Sequence, residues 1–286
     1  MKIVGCDLHT RYRQIALLEE ETGELIERRL EYGSHEARAF YGSLEGPVRV
    51  GIEATGPTRW FERMLAELGH ELWIGDAAQI REAMVRKQKT DARDAAHLLE
   101  LLLSGRFPRL WRPAMGERDL RQLVWHRQKL VWMRTAVGNQ LHALAMGEGV
   151  RRKKKLFTKK GRLKLEGLPL DPWASRRRQE LLRMLDQLDA SLRGFDQAVA
   201  EQTEQNAAVV VLMTHPGVGP VTSLAFVLTL GPVERFARSK QVVSYLGLNP
   251  REHSSGGRQR LGSISKQGNP MMRSLVMVKA LLSGRG

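Results

Sequence analysis

Four carboxylates are spaced as metal-assisted phosphoryl chemistry requires. Asp7 closes the apolar run KIVGC and Glu53 closes a second run, VRVGI. Asp91 and Asp94 lie three residues apart behind Thr90, so a helix starting there carries both on one face. Four converging anions repel one another, and hard divalent cations such as Mg2+, which take oxygen ligands, resolve that repulsion. Two such ions roughly 4 Å apart hold the attacking and leaving oxygens of a phosphoryl transfer. Each acid also has a plainer reading. First-turn acids suit the helix dipole without any metal, so Asp91 and Asp94 read also as structural acids, or as one ligand and one cap, and Asp7 reads also as a turn residue.

A second constellation lies in GLNPREHSSGGRQR, residues 247–260. Ser255 precedes two glycines on exposed backbone. Arg251, Arg258 and Arg260 offer charge-assisted bonds to a phosphate, and His253 offers a proton acceptor. A serine so placed attacks phosphorus and carries a covalent DNA intermediate, although Ser-Gly pairs are also ordinary loop material. Lys266 and Arg273 of the same basic stretch count with these arginines as nucleic-acid contacts.

The acids need a scaffold that brings two strand ends and one helix start together. Residues 2–8, 14–18 and 24–31 read as strands, 35–44 as a helix and 48–53 as a strand. Residues 58–69 follow as a helix opened by Pro57, then 71–74 as a strand and 91 to about 104 as a helix capped by Thr90. Three strands in hairpins, then helix, strand, helix, strand, helix, is the order of a ribonuclease-H-like α/β fold, in which the Asp7 and Glu53 strands are neighbours. A long helical pattern covers 114–146, and 176–205 repeats apolar residues in alternating steps of four and three, the spacing of a coiled-coil seam. That seam packs either on 114–146 of the same chain or on a second subunit. Residues 215–220, HPGVGP, read as a helix-hairpin-helix turn meeting phosphate through backbone N–H groups, or as a plain tight turn. The boundaries expected are 1–110, 111–206 and 207–286.

Charge agrees with a polyanionic partner. The 286 residues carry a net +15 with pI about 10.4. Residues 1–105 hold 14 basic and 18 acidic side chains, against 22 and 11 in 106–206 and 10 and 2 in 207–286. An acidic module on a basic chain needs a reason, and a divalent-metal site is one candidate. Residues 151–164 hold nine basic side chains and no acid, so Arg151, Arg152, Lys153, Lys154 and Lys155 are expected on nucleic acid, a solvated loop being the alternative. One cysteine, Cys6, excludes an internal disulfide and a cysteine zinc site. The first residues do not read as a signal peptide and no apolar run approaches a membrane span, so a cytoplasmic protein without membrane contact is expected.

The segments GCDLHT, GIEATGP, KTDARDA, HPGVGPVTSLAFVLTLG and YLGLNPREHSSGGRQRLGSISKQGNPMMR occur in this order over nearly the whole chain. Together they resemble the DEDD-type insertion-sequence transposases of the IS-one-ten and IS-eleven-eleven groups, the bridge-RNA-guided serine recombinases. The resemblance implies a RuvC-like domain with Asp7, Glu53, Asp91 and Asp94 as its acids and Mg2+ as its ion. It implies a coiled-coil insertion and a mainly helical C-terminal transposase domain whose nucleophile falls on Ser255, with Ser254 adjoining. It also implies donor and target DNA, a structured guide RNA, and a homodimer or homotetramer with active sites composed from different subunits, in a bacterial or archaeal cell at the nucleoid. Family members usually run some tens of residues beyond the segment that ends here at Gly286. Two other readings stay open: a metal-dependent nuclease of the junction-resolving kind, and a nucleic-acid-binding remnant without activity.

Overall fold

The computed structural model describes residues 1–31, 35–54, 56, 58–84, 90–150, 155–255 and 257–283, the last seven by backbone alone. It divides into two compact units, Met1–Arg112 and Pro113–Gly286.

The first unit is a mixed sheet with helices. Strands Lys2–Leu8 (β1), Tyr12–Glu19 (β2) and Leu25–Glu31 (β3) are followed by helix Glu36–Gly42 (α1), strand Val48–Glu53 (β4), helix Arg59–Glu67 (α2) and strand Glu71–Gly75 (β5). Helices Ala77–Glu82 (α3) and Asp91–Leu103 (α4) complete it. The sheet order is β3-β2-β1-β4-β5, with β1–β2 and β2–β3 antiparallel and β1–β4 and β4–β5 parallel. This mixed α/β architecture is consistent with the ribonuclease-H-like expectation. Central β1 is apolar through most of its length because both its faces are covered, whereas edge strand β3 shows Glu27, Arg28 and Arg29 to solvent. Helix α3 is absent from the sequence reading. Asp76 starts it by accepting from Ala78 N at 2.8 Å and Gln79 N at 3.0 Å.

Alternation along the strands sorts the two faces. Val4 and Cys6 of β1 and Val48, Val50 and Ile52 of β4 join Tyr41, Phe61 and Leu65 in one core. Ile3 joins Ala95, Leu98, Leu99 and Leu102 of α4 in the other. Gly5 and Gly51 lie on that second face and form a floor low enough for α4. A Cβ built on Gly5 would stand 2.2 Å from the Ala95 carbonyl oxygen, and one on Gly51 2.6 Å from Leu102 Cδ1.

The second unit is helical except for one hairpin. It holds helices Met115–Gly147 (α5), Lys159–Glu166 (α6), Pro172–Glu204 (α7), Ala207–Met213 (α8), Pro220–Leu230 (α9) and Ser239–Tyr245 (α10), strands Pro250–Glu252 (β6) and Leu261–Ile264 (β7), and helix Pro270–Ser283 (α11). The α7 seam packs on α5 of the same chain: Arg127 pairs with Asp196 and Arg134 with Asp189, a seven-residue step in opposite directions. Val137, Leu141 and Leu144 meet Leu181, Leu182 and Leu185 in the core between them. The seam by itself therefore calls for no second subunit. Val124 and Val199, from the two long helices, share another core with Val209, Leu224 and Met272 further along the chain.

Residues 159–166 of the basic stretch are helical rather than loop. Thr158 caps α6, and Arg162 is committed to Glu166 and Asp186. Arg151, Arg152, Lys153 and Lys154 lie outside the described residues, as does Pro57; Lys155 is exposed.

Candidate active site

Strand register places the first two acids. Cys6 pairs with Ile52 across the parallel β1–β4 ladder, so Asp7 and Glu53 come next at the same level. Alternation turns both toward the face that α4 covers, since Gly5 and Gly51 two residues earlier face that helix. Helix α4 begins there because Thr90 is extended (φ −143°, ψ 148°) and its hydroxyl accepts from Arg93 N at 3.4 Å. Asp91 and Asp94 therefore occupy its first turn, where the helix dipole favours anions.

The tightest convergence is Asp7, His9 and Asp91, whose ligand atoms all lie within 4.8 Å of one another. His9 Nε2 stands 2.9 Å from Asp7 Oδ2 and 3.4 Å from Asp91 Oδ1. The Tyr12 hydroxyl donates to Asp91 Oδ2 at 2.5 Å, and the Arg29 guanidinium sits 3.7 Å from the Tyr12 ring centroid. Burial pushes the Asp7 carboxyl up from the usual aspartate range; His9 opposes this, while the charges of Asp94 and Asp91 add to it. The Tyr12 hydrogen bond holds Asp91 below its usual value, and Tyr12 is correspondingly raised. Asp94 thus stands close enough to act on Asp7, whereas Glu53 contributes no atom to the three-residue group.

These donors fit a divalent cation. They offer two carboxylates and an imidazole nitrogen at ligand-like spacing, and Asp7, whose side chain is only 15% exposed, is held where burial disfavours its charge. Cys6, one residue away on the opposite face, plays no such part, because burial pushes its thiol up to about 12.

The second unit carries the serine pair. Strands β6 and β7 form a hairpin whose tip turns between Ser255 and Arg258, with Ser255 N donating to Arg258 O at 3.3 Å and Arg258 N to Ser255 O at 3.1 Å. The two serines differ in employment. The Ser254 hydroxyl donates to Glu252 Oε1 at 2.5 Å and accepts from Arg260 N at 3.1 Å, so it closes the hairpin. Ser255 is exposed, and among the described residues its hydroxyl has no hydrogen-bond partner. The Arg251, His253, Arg258 and Arg260 side chains are exposed around it.

The hairpin is held from behind by the segment that follows it. Gly247 (φ 68°) passes so close to Gln267 that a Cβ would stand 1.5 Å from the Gln267 carbonyl oxygen. Ser265 Oγ donates to Asn249 Oδ1 at 2.8 Å, and Lys266 holds a left-handed φ of 57°. Asn269 caps α11 by accepting from Met271 N and Met272 N. Arg273 donates to the Gln267 and Gly268 carbonyls at 3.1 and 2.8 Å, so part of its donor capacity is structural.

A family model described as a transposase matches residues 4–147, half of the chain. The chain belongs to the DEDD-type insertion-sequence transposases. A second model, described as the transposase family IS116/IS110/IS902, matches residues 210–284 of this transposase, the stretch holding the serine hairpin. It is similar to a probable family 20 transposase of Pseudomonas aeruginosa, 27% identical over 96% of this chain and 81% of the relative. It is likewise similar to the transposase for insertion sequence element IS1111A of Coxiella burnetii, at 28% over 99% and 78%. A putative transposase of Sinorhizobium fredii is 26% identical over 82% and 61%. As a transposase the chain cuts and rejoins DNA. No described helix of the transposase is long and apolar enough to cross a membrane.

His9 and Tyr12 are the site residues that sequence reasoning missed. His9 left a usable signal: two residues after Asp7 near the end of a strand, it projects on Asp7's side. Tyr12 left none until the hairpin pairing of β1 with β2 brought it beside α4.

Proposed function

We propose that this transposase breaks DNA by attack of the Ser255 hydroxyl on a backbone phosphorus. The observation that carries this reading is the division of labour between the paired serines: Ser254 is spent on Glu252 and Arg260, and Ser255 is presented at the hairpin tip. In the step, an Oγ–P bond forms as the bond from phosphorus to a sugar oxygen breaks. The hydroxyl proton passes to a base, for which His253 in the same loop is the candidate, and the departing oxygen takes up a proton. Arg251, Arg258 and Arg260 hold the phosphate by charge-assisted bonds. Rejoining runs the step backwards with a new sugar hydroxyl, so bond energy is retained in the serine ester and no hydrolysis is needed.

Asp7, Glu53, Asp91 and Asp94 hold Mg2+ in this reading; the desolvated Asp7 and the Asp91 carboxylate beside it support that assignment. The bound ion supplies charge neutralisation at phosphate oxygens. Guidance by a bridge RNA, and assembly as a homodimer or homotetramer, belong to the same proposal. The net +15 supports polyanionic partners, and the exposed basic side chains, Lys155 and Lys266 among them, would follow the backbone of DNA or RNA alike.

The test is a covalent adduct. The wild-type chain, incubated with co-purified RNA, donor and target DNA and Mg2+, should yield a protein–DNA species that survives denaturation, and Ser255→Ala should lose it while Ser254→Ala retains it. Free DNA ends, with cutting undiminished in Ser255→Ala, would instead identify a metal-dependent nuclease. Sequencing of RNA that co-purifies from cells checks guidance independently: a discrete RNA encoded beside the gene is expected.

A further inference from the structure

The four-acid reading leaves His9 without a role, yet its imidazole lies close to two of the acids at once. Its Nε2 is 2.9 Å from Asp7 Oδ2 and 3.4 Å from Asp91 Oδ1. Neighbouring donors on an octahedral divalent ion with bonds of about 2.1 Å are spaced by about 3.0 Å. The imidazole nitrogen thus stands at the distance of an adjacent ligand from both carboxylates. Its neighbours keep the arrangement in place. Tyr12 occupies Asp91 Oδ2, which leaves Oδ1 directed at His9, and the Tyr12 and His9 rings lie 5.0 Å apart. His9 itself is 41% exposed, so it is open to solvent and not needed to fill the core.

We propose that His9 is a nitrogen ligand of the divalent cation held by Asp7 and Asp91, making this a mixed nitrogen–oxygen site that binds first-row transition ions such as Mn2+ more tightly than Mg2+. The proposal rests on the reading of these acids as a metal site. The reason for the preference is the nitrogen donor. Mg2+ is a hard ion satisfied by carboxylate and water oxygens, while an imidazole nitrogen adds to the affinity of a transition ion. Mg2+ binding then depends chiefly on the carboxylates, and Mn2+ binding on the carboxylates and His9 together.

The experiment measures ion binding by the full-length chain without DNA. Mn2+ and Mg2+ are titrated calorimetrically into wild type, His9→Gln and Asp7→Ala, and bound Mn2+ is examined for nitrogen coupling in its electron spin echo. Gln keeps a polar side chain but offers a hard amide oxygen. Wild type should show imidazole nitrogen coupling that vanishes in His9→Gln. Mn2+ affinity should fall by about tenfold or more, the scale on which even partners of ligands act, with Mg2+ affinity falling less. Nitrogen coupling that is absent from wild type or persists in His9→Gln overturns the proposal, as does an equal loss for both ions. Tighter binding of both ions in His9→Gln overturns it as well, since the imidazole would then be competing for the cation's place. If Asp7→Ala binds both ions as wild type does, the metal reading itself fails, and that result is separate from any outcome at His9.

Discussion

Replacing Gly5 by alanine should dismantle the candidate site from beneath. The new Cβ would stand 2.2 Å from the Ala95 carbonyl oxygen and 2.5 Å from Leu99 N, both backbone atoms of α4. Ordinary contact distances require α4 to retreat by about 1 Å. Overpacking of this kind costs about 1–3 kcal/mol of stability. The same retreat stretches the Tyr12–Asp91 hydrogen bond, now 2.5 Å, to about 3.5 Å, beyond a normal hydrogen bond. It also carries Asp91 away from His9 and Asp7, and a displacement of about 1 Å at a reacting centre costs on the order of 100-fold in rate. Urea denaturation, Mn2+ titration and DNA cutting should therefore fall together. Gly51→Ala should be milder, because its nearest neighbours are ends of the Leu102 and Phe107 side chains. Gly42→Ala, whose nearest neighbour is Leu68 Cδ2 at 3.8 Å, controls for the chemistry of the change. Wild-type stability and ion affinity in Gly5→Ala would refute the seating of α4 on β1 and the site geometry derived from it.

Asp7→Asn should stabilise the ion-free chain at neutral pH. The Asp7 carboxyl is raised above its ordinary 3.8 by burial, so its charge opposes folding once pH rises past that value. The difference in melting temperature should therefore shrink as pH falls toward 3.8 and vanish below it, and added Mg2+ should stabilise wild type alone. A constant difference at all pH values would contradict burial as the cause. Two arginines of the serine segment should separate cleanly. Arg258→Ala should lower the salt dependence of DNA binding by about one phosphate contact while leaving unfolding unchanged. Arg273→Ala should lower the unfolding midpoint, because the Gln267 and Gly268 carbonyls lose their donor. The reverse pattern in binding and unfolding measurements would exchange the roles assigned to the two residues.

Much of the candidate site's placement was legible in the linear chain because it rests on local patterns. Apolar runs followed by Asp7 and Glu53 specify strands with an acid at or next to their last residue, and Thr90 followed by Asp91 and Asp94 specifies a helix start with acids in its first turn. The heptad-like steps of α7 specify a seam, since periodicity reports which face is buried. It does not report what covers that face, and only the antiparallel pairing of Arg127 with Asp196 and Arg134 with Asp189 assigned α5 as the cover. Hairpin β6–β7 left a weak trace, because its segment is rich in Gly, Ser and Arg and owes its shape to tertiary hydrogen bonds more than to propensity, whereas helix α3 is one short run, AAQIRE, started by the Asp76 cap.

The sequence by itself thus determined which residue types are available and which element ends carry them. The tertiary structure decided which atoms meet. His9 and Tyr12 entered the site because antiparallel pairing folds β2 back beside β1 and the Gly5 floor admits α4, neither of which is a property of a single segment. The different hydrogen bonding of Ser254 and Ser255 likewise lay beyond the string SSGG. Cross-strand bonds to Glu252 and Arg260 consume one hydroxyl, while Ser255 is left exposed at the tip of the turn.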